Sequence, residues 1–164
     1  MSYRNRSSGF TLIELLVAIA VLGIIVAVAI PSFQTVIENN RTTTQANKLL
    51  SAVQFARSEA VKRGVNVTLS ADSSDFNNGW CVHTGATCGT TSLIRTFDPN
   101  SGVTLFSSAN SVTFSQRGTR IPQTTTAVTI SVQHSSCATD EVERRSIVSI
   151  TLSGRASVVR GDCL

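Results

Sequence analysis

The sequence predicts an α+β fold: one long N-terminal α-helix packed against an antiparallel β-sheet head. Three observations carry that expectation. Phe10 to Ile30 is an apolar run broken by a single carboxylate, Glu14. Ala46, Leu49, Val53, Ala56 and Ala60 recur at helical spacing further on. From Val65 onward, short β-prone runs alternate with turn signals.

The apolar run sets the terms for the rest. A helix of about 20 residues crosses the ~30 Å hydrocarbon core of a bilayer, so residues 10–30 can span a membrane. Arg4 and Arg6 stand ahead of it and favour leaving that end in the cytoplasm. A carboxylate inside lipid costs about 2.5–3.5 kcal/mol on insertion scales, and such residues usually have a partner. Glu14 lies one turn into the helix, so it either snorkels to the interface or meets a positive group brought by assembly. A secretory signal has a shorter apolar core followed by a small-residue cleavage step. Here the run is longer and ends in Ala29-Ile30-Pro31-Ser32, which offers no such step.

Gly9-Phe10-Thr11-Leu12-Ile13-Glu14, behind a short basic leader and ahead of the apolar run, resembles the type III signal of type IV pilins and type II secretion pseudopilins. The resemblance implies the pilin fold. It also implies that a prepilin peptidase cuts between Gly9 and Phe10 and methylates the new Phe10 amine. Glu14 would then pair with the Phe10-type amine of a neighbouring subunit as helices bundle into a filament.

After Pro31 the helix is expected to continue, with a bend where the proline removes a backbone donor. Phe33, Val36 and Ile37 extend the apolar face, and Ser51, Gln54, Arg57, Ser58 and Lys62 occupy the opposite side of the later turns. Lys62-Arg63-Gly64 is a stop signal: two cations at the negative end of the dipole, then glycine for the left-handed turn. The chain thus divides into a leader (1–9), a transmembrane or filament-core segment (10–30), an amphipathic half that packs on the head (31–64) and a β-rich head (65–164).

In the head, Val65–Ser70 alternates cleanly, Ala71–Gly79 reads as a polar turn region, and Asp98-Pro99-Asn100-Ser101-Gly102 is a turn. Further strands are expected at Trp80–His83, Leu93–Phe97, Val103–Phe106, Ser111–Phe114, Val128–Gln133, Ser146–Leu152 and Ala156–Arg160, forming one antiparallel sheet against the helix. Residues 123–126 and 135–145 read as loops. Trp80 is expected to be a core anchor and Gly154 a turn residue.

Ala56-Arg57-Ser58-Glu59-Ala60-Val61, Gly79-Trp80 and Ser153-Gly154-Arg155, in that order behind the signal, resemble the FimT/GspH class of minor pilins and pseudopilins. That class implies a structural subunit held in the inner membrane, with its head in the periplasm, until it joins a filament. Its partners would be the prepilin peptidase, the inner-membrane assembly platform, other minor pilins and the major pilin. It would prime assembly and lie near the tip, linking a tip complex to the shaft. The need of Glu14 for a neighbour's amine sets it below the very tip. A DNA-binding minor pilin that serves DNA uptake and a type II secretion pseudopilin of the GspH type are the alternative readings.

Cys81, Cys88, Cys137 and Cys163 make an even count in a head facing an oxidising compartment, so two disulfides are expected. Three pairings are possible. Cys81–Cys88 closing a short loop is favoured, with Cys137–Cys163 resembling the C-terminal disulfide loop of pilins. Loop entropy gives roughly 2.5 and roughly 3.5 kcal/mol for the two. Zinc, with His83 beside Cys81 and His134 beside Cys137, is the rival use. The step from Cys81 to Cys88 exceeds the usual spacing of about two to four intervening residues, so no metal is expected. No nucleophile elbow and no glycine-rich phosphate loop appears, which argues against an enzyme, and nothing calls for a cofactor.

The chain carries a net charge of +4, two units of which belong to Arg4 and Arg6. The head holds seven basic and seven acidic residues, which argues against a broad nucleic-acid footprint. A local one would use Arg144, Arg145, Arg155 and Arg160. Some FimT-type proteins bind DNA through a Gly-Arg-x-Arg motif, and this chain has Gly154-Arg155-Ala156-Ser157, without the second arginine.

Overall fold

A computed structural model describes residues 10–89, 91–121, 126–139 and 141–164. The leader (with Arg4, Arg6 and Gly9), residues 123–125 of an expected loop and Asp140 lie outside the described residues.

Helix α1 runs Leu12–Arg63 as one assigned helix, with Pro31 inside it. Thr11 caps its start: the hydroxyl accepts the Glu14 N–H at 3.3 Å, and the Thr11 carbonyl accepts the Leu15 N–H at 3.2 Å. The expected stop operates at the other end. Gly64 sits at φ 65° and donates its N–H to the Ala60 carbonyl at 3.0 Å. Glu59 accepts from Arg63 at 2.6 Å within the last turn. By internal contacts the chain divides into two units, the first ending at Ile37 and the second running Glu38–Leu164.

In the second unit, the predicted stripe of Ala46, Leu49, Val53, Ala56 and Ala60 is fully buried, joined by Ala52. Four of these six are alanines, which let a sheet approach the helix backbone closely. Buried Thr42 returns its hydroxyl to the Glu38 carbonyl, and buried Gln45 accepts the Asn100 N–H at 3.0 Å. The helix thereby holds its own polar face and the 98–102 turn.

The head forms two antiparallel sheets rather than the single one expected. The first contains β1 (Val67–Asp72), β2 (Asp75–His83), β3 (Leu93–Phe97), β5 (Ser111–Phe114) and β6 (Arg120–Ile121), in the order β3-β2-β1-β5-β6. The second contains β4 (Val103–Ser107), β7 (Val128–His134), β8 (Arg145–Ile150) and β9 (Ala156–Gly161), in the order β4-β7-β8-β9. Residues from both sheets and the helix share one core, including Leu69, Trp80, Phe114, Ile130 and Ile150. The Asn77 carboxamide bridges the sheets: its oxygen accepts the Leu105 N–H at 2.8 Å and its nitrogen donates to the Leu105 carbonyl at 3.0 Å.

Two local expectations fail for physical reasons. Ala71–Gly79 is not a turn region, because the reversal is confined to Ser73 and Ser74, at φ 49° and 66°, with Asp72 opposite Asp75. Hairpin turns of this kind usually carry Asn-Gly or Asp-Gly, so Ser-Ser gave no sharp signal. Strand β2 therefore starts five residues earlier than the expected Trp80, and Phe76 is core. The two-residue strand β6 was not anticipated, since so short an element has no readable period.

Candidate functional site

Every large apolar side chain from Phe10 to Ile37 is exposed, and the segment is long and apolar enough to cross a bilayer. Glu14 occupies the third helical position after the Thr11 cap. A carboxylate there suits the positive end of the helix dipole. In a Thr-x-x-Glu capping box it would also bond back to the cap N–H. That return bond is not made: among the described residues the Glu14 carboxylate has no partner. The Thr11-x-x-Glu14 spacing was a readable signal that sequence reasoning missed.

The short patterns in the head converge on two structural sites. Arg57, on α1, donates Nε to the Gly118 carbonyl at 2.9 Å and a terminal nitrogen to the Ser153 carbonyl at 3.3 Å. It thus ties the helix to the β5–β6 turn of one sheet and the β8–β9 turn of the other. Gly154 sits at φ 75°, buried, where a Cβ would collide with the Gly118 carbonyl oxygen. Ser153-Gly154 is therefore required by the close meeting of two turns at one arginine. Gly79, at φ 114°, has the Phe97 carbonyl 2.9 Å from where its Cβ would stand. The next residue, Trp80, is 1% exposed, with the Phe76 and Phe97 rings each 6.2 Å away. Nothing in the sequence linked Arg57 to Gly154.

Cys81 is bonded to Cys88 and Cys137 to Cys163. Two groupings have the geometry to offer a metal three ligands, Cys81-His83-Cys88 and Cys137-Glu141-Cys163, but in each the two sulfurs are spent on a disulfide. His83 is fully buried and both ring nitrogens are engaged. Nε2 meets the Ser70 hydroxyl at 2.9 Å and Nδ1 meets the Gly85 carbonyl at 3.0 Å. A carbonyl only accepts, so Nδ1 carries the proton and Nε2 accepts from serine. Burial holds the His83 pKa below its ordinary value of 6.5, against an opposing pull from the Gly85 hydrogen bond. The ring is a neutral stitch between β1 and the disulfide loop.

The four C-terminal arginines stand in different surroundings. Arg144 is clamped by Glu38 at 2.6 Å and Glu141 at 2.7 Å, tying α1 to the Cys137–Cys163 loop. Arg145 is half-buried. Arg160 is exposed and donates to the Thr43 hydroxyl at 2.9 Å, while Arg155 stands in solvent. Burial pushes the Glu38 carboxyl up, but Arg144, the nearby His134 and Ser136 outweigh it and hold it below the ordinary 4.5. Glu38 was not singled out from sequence, because Arg144 lies 106 residues along the chain, and Glu141, three residues from Arg144, was passed over.

Comparison with known proteins agrees with these features. The family model described as "Type II transport protein GspH" matches residues 45–154, and the one described as "Prokaryotic N-terminal methylation motif" matches residues 4–30. The chain is 40% identical over 70 residues to a type IV major alpha-pilin of Moraxella bovis, covering 43% of each chain. It is 34% identical over 71 residues to a fimbrial protein of Pseudomonas aeruginosa, covering 43% of this chain and 46% of that one. The matched stretch thus spans less than half the length of these curated relatives. In fold, the chain is similar to the type IV minor pilin FimU of P. aeruginosa, at a TM-score of 0.62 and 24% identity, covering 74% of this chain and 90% of that one. It is also similar to the minor pseudopilin EpsH of Vibrio cholerae, at a TM-score of 0.53 and 11% identity, covering 73% of this chain and 97% of that one. With the GspH model covering most of the chain behind a methylation motif, the protein belongs to the GspH family of type IV pilin-like subunits.

Proposed function

We propose that the chain is a minor pilin that primes type IV pilus assembly and sits near the tip, joining a tip complex to the shaft. Prepilin peptidase removes residues 1–9 between Gly9 and Phe10, and the Phe10 amine is methylated. The subunit then waits in the inner membrane with its head in the periplasm and reaches the filament through the assembly platform, beside other minor pilins and the major pilin.

The observation that supports this most is the Glu14 carboxylate, unpartnered among the described residues within an exposed apolar helix. A lone anchor gains nothing from such a group. A bundle of like helices supplies a neighbour's amine and removes the desolvation cost. The test is Glu14→Gln, which keeps the size and removes the charge. The variant is expected in membranes, with a mature N-terminus at Phe10, and absent from sheared filaments. Wild-type incorporation of Glu14→Gln, or a mature N-terminus elsewhere, would defeat the reading.

A second reading, a type II secretion pseudopilin, is favoured by the matching model's own description as a type II transport protein. Deleting the gene in its host separates the two. Loss of surface filaments supports the first, and loss of protein secretion with filaments intact supports the second.

A further inference from the structure

One arginine of the head is held in place without any carboxylate. Arg95 lies on β3, the edge strand of the five-stranded sheet, and its side chain is exposed. Its guanidinium carbon stands 5.5 Å from the centre of the Phe55 ring on α1 and 4.8 Å from the centre of the Phe97 ring. The charge is held against two aromatic rings, and among the described residues no carboxylate forms an ion pair with it. A pre-set arginine fork is the geometry that binds an oxyanion through two parallel hydrogen bonds.

Two more cations continue the feature along α1. Lys48 precedes Phe55 by seven residues and Arg41 precedes Lys48 by seven, so about 10 Å of helix separates each pair. The Lys48 ammonium donates to the Asp98 carbonyl, and Arg41 lies beside Gly102. Among the described residues, none of the three forms an ion pair. Two of the head's acids, Glu141 and Glu143, lie on the C-terminal loop. Glu141 binds Arg144 there, and exposed Glu143 gives its N–H to the Asp162 carboxylate. Head-to-tail association between related subunits brings unlike surfaces together.

We propose that Arg95, supported by Lys48 and Arg41, is the docking point for an acidic loop on the head of a neighbouring pilin-class subunit. A protein loop fits better than a nucleic acid. Exposed Asp98 stands among the three cations and would repel a continuous polyanion, whereas it leaves room for one or two discrete carboxylates. This inference rests on the subunit reading above and adds to it the surface and the chemistry of the contact.

The test uses the full-length chain in its host, with a photo-crosslinking amino acid at Leu93 on the same strand, or at Ile24 in the N-terminal helix as a reference. The crosslinked peptides are identified by mass spectrometry. The expected Leu93 product is an Asp- or Glu-containing peptide from the head of another pilin-class subunit. Arg95→Glu should lower its yield about tenfold or more, Arg95→Lys should lower it less, and reversing the charge of the partner's acid should restore it to Arg95→Glu. The melting temperature of each variant's head is measured in parallel, and Arg95→Gln replaces any variant that fails to fold. A Leu93 product with nucleic acid or lipid, or one insensitive to all Arg95 variants, would overturn the proposal. If Ile24 crosslinks to another subunit while Leu93 does not, the docking point fails and the subunit reading stands. If neither does, the subunit reading itself fails.

Discussion

The two halves of α1 share a backbone conformation and little else. From Leu12 to Ile37 the large apolar side chains all point outward, with leucine, isoleucine and valine on every face. From Glu38 to Arg63 the buried apolar residues form one stripe, mostly alanine, packed under two sheets, while Val61 stays exposed. The second half is stabilised inside the molecule, by burial of its own face. The first half has nothing of its own to bury against and relies on lipid or on other helices. Helix formation is common to both, while the source of stability divides them near residue 38.

The sharpest way to break that contrast is to shorten one leucine in each half. Leu49→Ala should cost the head about 2–5 kcal/mol in denaturant unfolding, because the fully buried side chain leaves a cavity. Leu16→Ala, half exposed, should leave the same transition unchanged within about 0.5 kcal/mol. Trp80, the sole tryptophan, reports unfolding of the head through its fluorescence. Next in size is the junction at Arg57. Arg57→Ala and Gly154→Ala should each destabilise by about 1–3 kcal/mol, one by orphaning two carbonyls and the other by forcing the turns apart. Because they disrupt one contact, a double-mutant cycle should show less than the sum. Fully additive losses would mean that the two turns are held independently.

A smaller effect concerns acidity. His83 holds its folded pKa below 6.5, so the unfolded chain takes up a proton first as pH falls. Its contribution to stability is complete above about pH 6.5 and declines through the interval below it, down to the folded value. Glu38 is also lowered, from 4.5, so its contribution declines only at lower pH, as the carboxyl protonates. Stability measured between pH 7 and 5 should therefore fall in the wild type, and the slope should flatten in His83→Gln. Smallest of all, Arg144→Ala should cost the head about 1 kcal/mol or less, since its two ion pairs are partly open to solvent. A larger loss would mark the helix–loop tie as a main support of the head.

Much of this was legible in the sequence, and what was not has physical causes. The helix stop at Arg63-Gly64 was readable because dipole, charge and glycine agree there. The buried stripe was readable because a 3.6-residue period survives in any context. Strand β2 was obscured where Asp75-Phe76-Asn77-Asn78 carries polar residues that serve the turn and the inter-sheet bridge, not a pleated face. The division into two sheets depends on long-range pairing that no local period encodes. At the candidate site, Glu14 stood out because charge in an apolar run is costly wherever it lies. Arg57 looked like an ordinary surface cation, since its partners are backbone carbonyls distant in sequence, and Arg144 was read as a possible DNA contact because its partner Glu38 lies 106 residues away.

The carboxamide of Asn77 also guards the free edge of the four-stranded sheet at β4. By occupying both main-chain groups of Leu105, it closes a place where a stray extended segment from another copy would add itself as an extra strand. Edge-to-edge pairing with another extended chain is thereby blocked at that position.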